Sequence, residues 1–202
     1  VIHEHKRIIF NGNGYDPGWI EEAARRGLHN LRSTPEALPH FTDEKNIELF
    51  TRHRVFTENE LRARQEVFQE EYCKLVLIEG KTALGMARRE IFPAVSRFTC
   101  KLAQSAMAQR ELLPERRARY ENSVVSYLTQ LMDAAYSLCG ELEDALTAAE
   151  GIRDLTEKSF HLRDHVLPVM GALRAACDDM ETVTGEDAWP MPTYGELLYG
   201  VK

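Results

Sequence analysis

The chain has 202 residues, 44% of them hydrophobic and 28% charged, an ordinary mixture for a soluble globular protein with one sizeable domain or two small ones. Its net charge is −7 and it has no long basic run, which argues against nucleic acid or an anionic membrane surface as a partner. No apolar run approaches the roughly 18–20 residues that span a bilayer, and no signal peptide is visible at the start.

The first residues, Val1-Ile2-His3-Glu4-His5, carry neither an initiator Met nor a helix cap, so the sequence reads as a fragment of a longer protein. Residues 1–10 fit the end of a helix or a short strand. Asn11-Gly12-Asn13-Gly14-Tyr15-Asp16-Pro17-Gly18 then breaks regular structure, because glycine and asparagine tolerate positive φ and proline fixes its own. Residues 19–26 fit a short helix with acids in the first turn, bases in the last, and Gly27 at the stop. Residues 29–41 read as a loop with one turn, starting at Thr34-Pro35-Glu36 and limited by Pro39.

Thr42 is the expected N-cap of the next helix, whose apolar side is Ile47, Leu49, Phe50 and Val55. Thr57-Glu58-Asn59-Glu60 is a capping box and opens the longest helical pattern. Its apolar positions run Phe68, Tyr72, Leu75, Ala83, Met86, Ala94, Phe98, Leu102 and Ala106, interrupted by Gly80 and Pro93. The pattern resumes directly after Pro93, which predicts a kink there and not two helices.

Leu113-Pro114-Glu115 marks a turn into a second long helix. Here Val124, Leu128, Leu131, Ala135, Leu138, Leu142, Ala145, Ala149 and Ile152 alternate steps of four and three, giving one stripe along one face. A seam so regular asks for partner helices nearly parallel or antiparallel to it. The third pattern is Leu155, Leu162, Val166, Val169, Leu173, Ala176, Met180 and Val183, bent at Pro168 and ended at Gly185. The tail 189–202 is apolar but aperiodic, and is expected to dock on the helices or on a neighbouring part of a parent protein. No stretch alternates with period two. The expected fold is all-α, an antiparallel bundle of three long helices preceded by shorter helices and loops.

Candidate chemistry is sparse. Gly12, Asn13, Gly14 and Gly18 superficially suggest a phosphate loop, but the spacing is wrong for the dinucleotide fingerprint and no Gly-Lys-Ser or Gly-Lys-Thr follows. His161 and His165 sit four apart with Asp164 beside them, a spacing that can hold a metal if a third ligand comes from elsewhere; His3 and His5 point to different sides of a helix. Glu70, Glu71, Glu141, Glu143 and Asp144 read as solvated faces, and so do Arg110, Arg116, Arg117 and Arg119 around Pro114. Cys73, Cys100, Cys139 and Cys177 are far apart and read as small buried hydrophobes in a reducing, cytoplasmic setting. No serine or cysteine lies in a nucleophile motif. The residues alone give no catalytic, cofactor-binding or metal site.

Two blocks carry a resemblance. Lys6-Arg7-Ile8-Ile9-Phe10-Asn11-Gly12-Asn13-Gly14-Tyr15, then Arg25-Arg26-Gly27-Leu28 and Asn30-Leu31-Arg32-Ser33-Thr34-Pro35-Glu36-Ala37-Leu38-Pro39, resemble the late part of type III glutamine synthetases. The closing Trp189-Pro190-Met191-Pro192-Thr193-Tyr194-Gly195-Glu196-Leu197-Leu198-Tyr199-Gly200-Val201 resembles the end of the same family, and Glu44-Lys45-Asn46-Ile47, Tyr72-Cys73-Lys74 and Ile91-Phe92-Pro93-Ala94-Val95-Ser96 also fit.

The resemblance implies a parent enzyme that joins ammonia to glutamate with ATP and Mg or Mn, assembled as two stacked hexameric rings. It implies residues 1–41 as the tail end of the catalytic region, 42–188 as a helical bundle and 189–202 as a docking tail. The family's metal, nucleotide and glutamate motifs match no position here, so the resemblance carries over no site residue and no cofactor. The expected partners are the rest of the polypeptide and neighbouring subunits, with a regulatory protein- or effector-binding module as the alternative.

Overall fold

The computed structural model describes residues 1–115, 117–192 and 194–200. Arg116 in the basic group around Pro114, and Thr193, Val201 and Lys202 in the tail, lie outside the described residues. Among the described residues the chain is all-α, as the periodicity predicts, with no strand. No helix is long and apolar enough to cross a membrane. Two compact units emerge, Val1–Gln69 and Glu70–Lys202.

The first unit holds α1 (Gly18–Arg25), α2 (Thr34–Ala37), α3 (Glu44–Arg52) and the opening turns of α4 (Glu58–Met86). The expected helix end or strand in residues 1–10 is only a 3₁₀ turn at Lys6–Ile8. Helix α1 stops as expected at Gly27, at φ +71°: Gly27 N–H donates to the Ala24 carbonyl and Leu28 N–H to that of Ala23, closing a Schellman motif. Helix α3 closes in the same way, Arg54 N–H to Thr51 and Val55 N–H to Phe50, but there Arg54 stands at the left-handed position with φ +55°.

The α4 capping box forms as predicted. Thr57 N–H donates to Glu60 Oε2 at 2.7 Å and Glu60 N–H to Thr57 Oγ1 at 3.3 Å. The expected cap at Thr42 does not form. Thr42 lies in a 3₁₀ turn (Leu38–Thr42) and donates instead to Gln65 Oε1 at 2.7 Å. Asp43 takes the cap position, but its carboxylate faces His40 Nδ1 at 3.0 Å and caps nothing. Packing in this unit is aromatic. Phe10 stacks on Trp19 with ring centres 4.4 Å apart, and Phe41, Phe50, Phe56 and Phe68 form a chain of ring contacts.

The second unit contains the rest of α4, α5 (Phe92–Leu112), α6 (Arg119–Gly151), α7 (Leu155–His161), α8 (Leu167–Glu181) and the short α9 (Tyr194–Tyr199). The predicted kink at Pro93 takes a particular form. A π turn, Ala87–Ile91, joins α4 to α5, and Phe92 N–H reaches back five residues to the Ala87 carbonyl. Pro168 receives the same treatment, with a π turn at Leu162–Val166 and Leu167 N–H bonded to the Leu162 carbonyl. A proline ring in a plain α-helix collides with the carbonyl four residues back; one extra residue in the preceding turn moves that carbonyl aside.

Helix α6 packs on both α5 and α8. Every position of its predicted stripe is buried or half-buried, and Cys139 and Leu146 are buried beside it. The seam is wider than one stripe because α6 has neighbours on two sides. Polar partners fix its direction against the first rod. Gln109 and Arg110 bond Glu121 and Asn122 near one end, while Arg88 and Lys81 reach Glu143 and Glu150 toward the other. Partners descend on one rod as they climb on the other, so the two run antiparallel.

Gly80, read from sequence as an interruption, lies inside α4. A Cβ there would sit 2.9 Å from Leu146 Cδ2, so glycine is what lets α4 approach α6 so closely. Helix α8 ends at Glu181, four residues before the expected stop at Gly185. Thr184 is buried there, its hydroxyl donating to the Met180 carbonyl at 2.7 Å.

The predicted stripe of α4 fares less well than that of α6. Leu75 and Met86 are 52% and 37% exposed, while Cys73, Val76, Leu84, Ala87 and Ile91 enter the core. This rod carries apolar residues on two sides, and α6 covers only one of them.

Candidate functional site

The residues singled out in the sequence do not assemble. His161 and His165 do meet, with ring centres 4.7 Å apart, but His161 Nε2 faces the Ala145 carbonyl at 3.1 Å, so α7 turns this ring toward α6. Asp164 is paired with Arg163 at 2.7 Å, and that guanidinium holds its carboxyl below the usual range. Among the described residues no group of three His, Cys, Asp or Glu is placed to hold a metal ion. His3 and His5 are exposed.

In the loop 11–18, Tyr15 N–H donates to Asn13 Oδ1 at 3.0 Å and Gly18 N–H to Asp16 Oδ1 at 2.8 Å. These side chains serve as local turn formers for amides that a phosphate cradle would require.

The acids read as solvated faces divide. Glu71, Glu141 and Asp144 are exposed, and Glu70 pairs along its own helix with Lys74 at 2.8 Å. Glu143 instead crosses to Arg88 at 2.6 Å, and Glu150 crosses to Lys81 at 2.5 Å. The hydrogen bonds from these cations hold both carboxyls below the usual range. The signal was present in the sequence: two cations seven apart, Lys81 and Arg88, face two acids seven apart, Glu143 and Glu150, on an antiparallel neighbour. Arg110 bonds Asn122 Oδ1 at 3.2 Å and, with exposed Arg117 and Arg119, borders a wide surface depression.

Three of the four cysteines are buried as expected; Cys100 is exposed. Burial pushes the Cys73 and Cys139 thiols up, and that of Cys177 to about 11, so none of these three is a thiolate near neutral pH.

The feature with binding geometry is one that sequence reasoning missed. An apolar groove of about 680 Å³ lies in the second unit, walled by α4 on one side and α8 on the other. Ile78, Ala83 and Met86 form one wall, Met170, Gly171 and Cys177 the other, and Trp189 and Met191 of the tail border it. Both tail residues pack on the core, and the Trp189 indole N–H is buried without a hydrogen-bond acceptor. Farther along, Leu197, Leu198 and Tyr199 of α9 are 65–77% exposed. Among the described residues of this stretch, Trp189 and Met191 pack on the core while the α9 side chains Leu197, Leu198 and Tyr199 face solvent. The carboxylates singled out in the sequence are either paired or dispersed over helix faces.

Comparison with known proteins gives a consistent result. The family model described as "Glutamine synthetase C-terminal domain" matches residues 1–110. The glutamine synthetase of Butyrivibrio fibrisolvens is 33% identical over 198 residues, covering 98% of this chain and 28% of that protein. The Type-3 glutamine synthetase of Dictyostelium discoideum is 30% identical, covering 98% of this chain and 28% of that protein. The glutamine synthetase of Bacteroides fragilis is 31% identical, covering 95% and 27%. The chain thus spans little more than a quarter of the length of these relatives.

Proposed function

The chain belongs to the glutamine synthetase C-terminal domain family, and from that premise we propose that it is the packing and assembly domain of a type III enzyme, not the seat of its chemistry. The parent ligates ammonia to glutamate at the expense of ATP. The observation that carries the reading is the alignment itself: nearly the whole chain matches little more than a quarter of proteins named glutamine synthetase, one of them named Type-3. Residues 1–41 are the last segment of the catalytic region, 42–188 the helical domain and 189–202 a docking tail.

In this reading the chain contributes no catalytic, cofactor-binding or metal residue. Phosphoryl transfer to a carboxylate requires clustered acids on a divalent metal and cations on the phosphates. Here Glu143, Glu150 and Asp164 are bound to cations of their own, and the loop 11–18 supplies no lysine. ATP and Mg or Mn do not fit these residues and belong to other parts of the parent. The partners are the rest of the polypeptide and neighbouring subunits, in two stacked hexamers, in the cytoplasm.

Deleting residues 189–202 from the full enzyme tests this. The assembly reading expects the oligomer to dissociate, read by sedimentation. Intact oligomers with altered regulation would favour the alternative, a protein- or effector-binding regulatory module, for which the open groove speaks.

A further inference from the structure

We infer that the groove between α4 and α8 is a docking site for an amphipathic helix with basic flanks, supplied by polypeptide outside this chain. The inference rests on the reading of this domain as a packing module and names the chemistry of what it packs against.

The apolar side chains of α4 are only partly covered within this chain. Leu75 and Ile78 follow helical spacing along α4, yet they are 52% and 60% exposed, and Ile78 and Met86 stand on the groove wall. A groove whose walls leave apolar side chains such as Ile78 and Met86 open to water is the receiving half of a helix-in-groove contact, in which the inserted helix brings the anchors. Helical walls offer ridges to a helix and no unpaired strand edge to an extended peptide.

Gly171 lies in the same groove. Glycine inside a helix lowers stability relative to alanine. At Gly171 a Cβ would meet nothing within 4 Å inside this chain, although the residue lines the groove. Gly85 and Gly140 are equally open inside their helices, so what sets Gly171 apart is its place: it leaves the α8 backbone bare at the groove, where an occupant can come close.

Charge selects the occupant. The groove is bordered by Glu79, Asp178 and Glu181 against the single guanidinium of Arg174. Arg174 is already committed to Asp178 at 3.3 Å. Glu79 and Glu181 have no ion pair among the described residues. A neutral or acidic helix would desolvate these carboxylates without compensation, whereas lysines or arginines flanking an apolar face would pair them.

The test uses the 202-residue chain carrying Trp19→Phe, which leaves Trp189, at the groove's edge, as the sole indole. Two synthetic amphipathic helices of roughly 18 residues, long enough to be helical, serve as probes, one built of Leu and Lys, the other of Leu and Glu. The Leu/Lys helix should change Trp189 emission saturably, and the Leu/Glu helix should bind at least about tenfold more weakly. Glu79→Lys with Glu181→Lys should reverse that order. Gly171→Leu should weaken Leu/Lys binding at least about tenfold by filling the groove, without lowering the melting temperature, since leucine is the better helix former and space is open there.

Equal binding of both helices, no saturable change with either, or undiminished binding to the Gly171→Leu variant would each overturn the inference. Those outcomes would leave the assembly reading standing if the tail deletion still dissociates the parent. Conversely, groove binding with an oligomer indifferent to that deletion would sink the tail's assembly role and keep the groove.

Discussion

Residues 1–69 and 70–202 are held together by different means. In the second unit a continuous set of buried aliphatic side chains, among them Leu128, Leu142, Leu162, Val166 and Met180, closes between helices of 21 and 33 residues and their neighbours. In the first unit Ala23, Pro35, Leu61 and Gln69 are buried, beside ring contacts, turn closures and ion pairs such as Glu22 with Arg25 and Arg26. Aliphatic burial scales with area and is spread over many residues, whereas ring contacts and caps contribute a few tenths to about one kcal/mol each. The second unit should therefore set global stability, and the first should open locally at lower cost.

The largest effect should come from the α6 seam. Leu142 is wholly buried, so Leu142→Ala should lower unfolding free energy by about 2–5 kcal/mol in urea titration. Phe50→Ala in the first unit should remain near about 1 kcal/mol, the centre of the distribution for single substitutions. Equal losses would break the contrast. Gly80→Val comes next, because its side chain would press on Leu146; an overpacking loss of about 1–3 kcal/mol is expected by the same titration.

Arg54→Gly should do the opposite. It places the residue without a Cβ at the left-handed end of α3, matching Gly27 at α1, and should stabilise by up to about 1 kcal/mol, read as slower amide exchange in α3. An unchanged or faster exchange would contradict the matched-motif account.

The smallest effects are electrostatic. Glu22 accepts from Arg25 and Arg26, which together bring its carboxyl from 4.5 to about 2. A carboxyl lowered in the folded state contributes stability above its ordinary value, and that contribution fades as pH falls from about 4.5 toward about 2. Protection of α1 amides should decline in that window, and Glu22→Gln should abolish the decline. Glu143→Gln, which removes the partner of Arg88, should cause a minor loss that shrinks with added salt, since both side chains reach solvent.

The second unit was also the more legible in sequence. The α6 pattern named its buried face almost residue by residue, because a helix packed on two sides must carry its apolar residues where geometry puts them. The capping box at Thr57 and the stop at Gly27, both in the first unit, were legible because the bonds that form them close within a few residues. Thr42 misled because its competitor was tertiary: Gln65, distant in sequence, took the hydroxyl. The prolines announced a disturbance but not its form, since whether a chain kinks or widens into a π turn depends on the packing around it.

The groove was invisible because periodicity marks which residues are apolar and not which of them find cover. The matched seven-residue spacing of Lys81 and Arg88 with Glu143 and Glu150 was in the sequence, but which acid meets which cation follows from the register of two helices, which no single stretch contains.

Under the proposed packing and assembly role, the 202-residue chain does not turn over substrate. Glutamine formation by the 202-residue chain, supplied with glutamate, ammonia, ATP and Mg, measures it directly. The account predicts no product above the protein-free reaction; product proportional to chain concentration would contradict it.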